Sequence, residues 1–296
     1  LIFWAQRMLH LDLDGKYADI LELALYNGAL SGLSRDGTHY FYANPLESDG
    51  SAERWEWHTC PCCTMNVSRL VASVGGYFIS TASDGVAFHI YGGISSTQEI
   101  AGTTVTLRER SNYPWSGEIE IGIDPETPAA FDVKLRVPGW ARSHTLKVNG
   151  EAVTDVPTAG YVTVRRTWRR GDVVTLELPM PPERLYAHPG VIMDAGRVAL
   201  KRGPLVYCLE EIDNPGGSVQ RLKLPRASEL LASTRADLFG GAVTLSAKAT
   251  AIDTADWHEL YRTAPSREHA TTLTALPYYL WANRNKGSMV VWIPEA

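Results

Sequence analysis

The chain has 296 residues, 45% of them hydrophobic and 21% charged, with a formal net charge of −5. That is the composition of a globular protein with room for two or three domains. The acidic balance excludes the basic face of a nucleic-acid or anionic-membrane binder, and no apolar run approaches the roughly 20 residues of a membrane-spanning helix.

The opening stretch LIFWAQRMLHLDL predicts a helix over 1–13 that is apolar around much of its circumference and wants neighbouring helices. It carries no initiator methionine, basic lead or small-residue cleavage site, so an N-terminally truncated chain is expected. His10 on this helix is expected to be a buried, hydrogen-bonded histidine. Asp14-Gly15 breaks the helix, and a second is predicted over 16–29 with Ile20, Leu21 and Leu25 inside. Two helices joined by a short turn suit a helical barrel or bundle. After the Asp36-Gly37 turn, HYFYANPL over 39–46 predicts an extended segment, with Tyr40 and Tyr42 on one face and Phe41 on the other.

Three of the four cysteines, Cys60, Cys62 and Cys63, fall within HTCPCCTMN. Adjacent cysteines do not easily meet disulfide geometry, which leaves a soft-metal site, a nucleophilic thiolate or small buried apolar groups. Asn66 is a predicted N-cap, with Val67, Leu70, Val71 and Val74 at helical spacing behind it and Gly75-Gly76 as the stop. The start of a helix favours negative charge beside it.

From Tyr77 the apolar period changes from 3.6 to 2. Strands are predicted over 77–80, 86–91, 103–108, 118–123, 131–137, 145–148, 161–165 and 173–178, separated by turns such as Asn149-Gly150. Many short strands with regular turns predict a β-sandwich. Pro-rich stretches at 179–182 and 188–190 mark a boundary, β character resumes over 197–209, and a closing strand is predicted over 289–293. Residues 227–276 carry too weak a signal to place strands. Cys208 falls in a predicted strand and reads as core.

The order LIFWAQRML, ALYNGALSGLSRDGTHYFYANPLES, CCTMNVSRLVASVGGYFIS, LRVPGWAR, GYVTVRRTWRRGDVV and GRVALKRGPLVYCLEE, with LPYYLWANR and MVVWIPE near the end, resembles glycoside hydrolase family 127, the bacterial β-L-arabinofuranosidases. The resemblance implies the end of an all-α (α/α)6 catalytic barrel over 1–76, then two β-sandwich domains over 77–190 and 191–296. It implies a retaining glycosidase with a zinc cofactor: Cys62 as nucleophile and zinc ligand, Cys63 as second ligand, and Tyr42 against substrate. In the family a Glu-x-Cys element supplying two further ligands lies just upstream of the segment that Leu1 begins. Its Glu is also the acid/base, so the chain as given is expected to be inactive. Cys60 has no role in that pattern.

Around this site, His39 and His58 are candidates for touching substrate, Glu47 and Glu56 read as solvated or supporting groups, and Trp55 and Trp57 as a sugar-stacking wall or packing residues. The arginines at 165, 166, 169 and 170 read as a solvated strand edge. The partner expected is an oligosaccharide or glycoside, with neither nucleic acid nor membrane and with a homodimer as the candidate assembly. Clustered thiols predict a reducing location, the cytoplasm. The alternative function is a non-catalytic, zinc-stabilised β-sandwich module that binds glycan or a protein partner.

Overall fold

A computed structural model describes residues 1–57 and 59–296; His58 lies outside the described residues. The chain divides into two compact units that do not follow chain order. The first is Leu1–Leu25 with Cys62–Met180, and the second is Tyr26–Pro61 with Pro181–Ala296. No helix among the described residues is long and apolar enough to cross a membrane.

The first unit holds three α-helices: α1 (Ile2–Leu11), α2 (Gly15–Ala24) and α3 (Cys62–Ser73). Asp14 caps α2 by accepting the Lys16 amide at 3.0 Å. Behind them stand two sheets, one of four strands and one of six. Their strands alternate as the period-2 pattern requires. In Thr103–Ser111, for example, Thr103, Val105, Leu107 and Glu109 are buried and their neighbours are not. The core holds Trp168, whose indole N–H donates to the Phe131 carbonyl at 3.0 Å. It also holds Ile121, Ile123, Val133 and Leu135, each fully enclosed and each contributing about 1.5–3 kcal/mol by leaving water.

An ion cluster ties α2 to this sandwich. Arg136, fully buried at the end of the strand Ala129–Arg136, reaches Glu22 at 2.6 Å and Asp19 at 3.4 Å. Glu22 also accepts from the Tyr113 hydroxyl at 2.5 Å and the Trp140 indole at 3.0 Å. Burial pushes the Arg136 guanidinium down, but Glu22, Tyr113 and Asp19 more than reverse this and the net direction is up. Close approach completes the joint. Gly15 donates its amide to the Ala159 carbonyl at 2.7 Å. A Cβ on Gly160, whose φ is +79°, would stand 2.9 Å from the Gly15 Cα.

In the second unit ten strands are joined through ladder pairings into one branching sheet. The two longest, Ala242–Ile252 and Glu268–Pro277, pair from Leu245↔Ala275 to Ile252↔Glu268. The segment Tyr26–Pro61 is built into this unit. Glu47–Ser48 pairs with Met289–Val290, Asn27 bridges the Pro204 carbonyl and the Val206 amide, and Phe41 stacks on Trp281 at 4.8 Å.

Among the described residues the three α-helices all lie within 1–76 and the chain is mostly β after them. Other expectations are corrected. The second helix stops at Ala24 and gives way to a π turn at Leu25–Ala29, which contains Gly28, a weak helix former, and then to the 3-10 turn at Leu30–Gly32. Residues 39–46, expected as a strand or an extended loop, hold no strand, and the expected alternation of faces fails. Tyr40 makes isolated bridges to Leu33 and Trp55, and Tyr40 and Phe41 are both buried while Tyr42 is exposed. Tertiary packing around Trp281, not period-2 alternation, sets those directions. In the last domain the strands are joined through ladder pairings into one branching sheet.

Candidate active site

Helix α3 begins at Cys62, four residues before the expected Asn66 cap. Asn66 lies inside the helix, where its side-chain amide donates back to the Cys62 carbonyl at 2.8 Å. The two adjacent cysteines therefore occupy the first turn, where backbone N–H groups lack helical acceptors. Cys62 is exposed and Cys63 half-buried. Their sulfurs are 3.8 Å apart, a thiol–thiol contact and not a disulfide. Two sulfurs held about 2.3 Å from one tetrahedral zinc would be separated by about 3.8 Å, so the pair fits two vertices of such a site. Among the described residues no group of three or more His, Cys, Asp or Glu is placed to hold a metal ion. Cys60 is exposed and precedes the helix.

Only Leu70 of α3 is buried. The helix is held by that side chain and by Arg69, whose guanidinium sits 4.0 Å over the Phe3 ring of α1. Its end is tied by the Ser73 and Tyr77 hydroxyls, 2.8 Å apart. Met65 and Val71 are largely exposed, so the expected apolar stripe is only partly used.

Tyr42 belongs to the other unit. It is half-exposed and lies parallel to Trp55, with ring centroids 6.2 Å apart and planes at 17°. Trp57 is 70% exposed, which favours its reading as an open aromatic face. His39 approaches Glu56 at 3.6 Å, and Glu47 pairs with Arg197 at 3.1 Å. His10 is exposed, not buried, and meets Gln6 at 2.9 Å. Cys208 is fully buried in Leu205–Glu210, and burial pushes its thiol well up. It is core.

Two features had no sequence signal: the Arg136–Glu22–Asp19 cluster, and a second one in which Arg284 bonds Glu210 at 2.6 Å and Asp213 at 2.5 Å. Both join residues far apart in the chain.

Matches to known proteins agree with this arrangement. The catalytic-domain model of the family 127 β-L-arabinofuranosidases matches residues 1–76, the middle-domain model 85–180, and the glycoside hydrolase family 127 C-terminal model 182–294. A non-reducing end β-L-arabinofuranosidase of Bifidobacterium longum is 37% identical over 98% of the chain and 47% of its own length. The crystal structure of a family 127 β-L-arabinofuranosidase from Geobacillus stearothermophilus matches with a TM-score of 0.94 and 43% identity, over all of this chain and 48% of that one. Another family 127 β-arabinofuranosidase matches at 0.93 and 33% identity, again over 48% of its length. The chain is a member of glycoside hydrolase family 127, and it spans about half the length of the relatives it matches.

Proposed function

We propose that this chain is part of a retaining glycoside hydrolase that removes terminal β-L-arabinofuranosyl residues, with Cys62 as nucleophile. The observation that carries the reading is the Cys62–Cys63 pair, exposed in the first turn of α3 with its sulfurs 3.8 Å apart, inside the segment that matches the catalytic-domain model. In a retaining mechanism the nucleophile bonds the anomeric carbon as the leaving oxygen is protonated, and water then displaces it. Cys62 Sγ would form and later break that bond. The family resemblance assigns the proton to the Glu of an upstream Glu-x-Cys element, whose Glu and Cys are also the two further zinc ligands.

Zinc held by Cys62 and Cys63 would keep the sulfur deprotonated and steady the departing thiolate. Tyr42, stacked beside Trp55, offers an aromatic edge and a hydroxyl suited to a sugar. The reading applies to a polypeptide of full family length.

The test is hydrolysis of an aryl β-L-arabinofuranoside by the full-length polypeptide with and without a chelator, together with a mechanism-based inhibitor and peptide mapping. Label on Cys62 supports the assignment. Label on Cys60, Glu47 or Glu56 overturns it.

A further inference from the structure

The second unit contains a cleft of about 560 Å³, within the range that holds small ligands and independent of the catalytic proposal. Its acidic walls are already engaged. Glu53 pairs with Lys286 and Glu210 with Arg284. Asp36 accepts from the Ser34 hydroxyl and from the amide and hydroxyl of Thr38.

Two lining cations, Arg54 and Arg35, form no ion pair among the described residues, although the charges of Glu210 and Asp36 act on Arg54. Arg54 is nine-tenths buried and packs over Phe41. Among the described residues it donates to the neutral carbonyls of Trp281 at 2.6 Å and Ser31 at 2.9 Å, and its Nε has no acceptor. Burial pushes this guanidinium down to about 10, the sign of a cation removed from water without full compensation. Arg35 is exposed; among the described residues its guanidinium forms no ion pair and lies 5.7 Å from the Phe239 ring.

Phe239 is itself unusual. It lines the cleft with a φ of +52°, costly for a bulky side chain, and its ring also has Arg284 5.5 Å away. Phe239 thus stands beside Arg284, which is already paired with Glu210 and Asp213, and beside Arg35, which is in no ion pair among the described residues. The guanidinium fork matches a planar carboxylate, and the ring offers a face for apolar sugar C–H groups.

We propose that this cleft binds a carboxylate-bearing sugar, a uronate, through Arg35, Arg54 and Phe239. The test is calorimetric titration of the 296-residue chain at low salt with galacturonate, galactose, acetate and inorganic phosphate. Galacturonate should bind saturably and at least about tenfold more tightly than each of the other three, the scale of one charge-assisted hydrogen bond. Arg35→Gln should weaken galacturonate about tenfold with an unchanged unfolding midpoint, since Arg35 is exposed. Phe239→Gly should keep the turn, because glycine takes this φ freely, yet also weaken binding. Equal affinity for galactose, acetate or phosphate would overturn the proposal, as would Arg35→Gln binding like the parent.

Discussion

His89 is fully buried, with one ring nitrogen 2.7 Å from the Tyr161 hydroxyl and the other 2.8 Å from the Ser80 hydroxyl. Burial, then the charges of Arg136 and His10, push its pKa down to about 4. The unfolded chain takes up the proton near pH 6.5 while the folded chain does not. Stability from this residue is therefore fully present above pH 6.5 and is lost as pH falls toward 4. The full loss is about 3 kcal/mol. Unfolding midpoints measured from pH 7.5 to 4.5 should fall more steeply for the parent than for His89→Gln; parallel curves would show that the histidine is not responsible.

Arg136 makes a second residue-scale case. Glu22→Ala removes the closest partner of a guanidinium with no exposure and should destabilise by about 3–5 kcal/mol. Chemical denaturation reads this directly, and a loss under 1 kcal/mol would mean that Asp19 compensates. At the nucleophile, Cys62→Ser in the full-length polypeptide should lower kcat by at least about a thousandfold with the fold retained, because serine lacks a comparable thiolate population. Cys63→Ser should lower zinc content before it lowers the unfolding midpoint, while Cys60→Ser should be mild.

At the scale of elements, the turn between the strands Thr145–Val148 and Glu151–Val153 was legible in advance. Asn149 and Gly150 take φ of +52° and +85°, the Asn-Gly hairpin turn that right-handed strand twist favours. Asn149 adds side-chain hydrogen bonds to Asp172 and to the Val173 amide. Asn149→Val should therefore cost about 1–3 kcal/mol, since a β-branched residue is strained at this φ and both bonds go. An unfolding midpoint equal to the parent's would refute this account of the turn. The helix carrying the thiols was legible in kind but not in start. Asn66 has the chemistry of a cap, yet the chain turns helical at Cys62 and the amide bonds backward instead.

For the molecule as a whole, the segment Tyr26–Pro61 belongs with Pro181–Ala296. Residues 181–296 expressed alone would lack the strand paired to Met289–Val290, the Arg54 bonds to Trp281 and the Phe41 stack. That piece should show no cooperative thermal transition, and a sharp transition would mean that the late strands suffice without the early segment.

The sequence by itself determined the switch from helix to strand near Tyr77, most strands of the first unit and the clustered thiols, because local periodicity and turn chemistry act over a few residues. Its weakest region, 227–276, holds two long strands, hidden because runs of alanine and threonine such as AKATA and HATTLTA carry little apolar contrast. Only the tertiary structure decided that 26–61 joins the last third of the chain, that Tyr42 faces out while Tyr40 and Phe41 turn in, and that Arg54 is buried beside a cleft. Those outcomes rest on contacts such as Phe41 and Arg54 to Trp281, between residues distant in the chain, and no local pattern encodes which distant carbonyl or ring a side chain will meet.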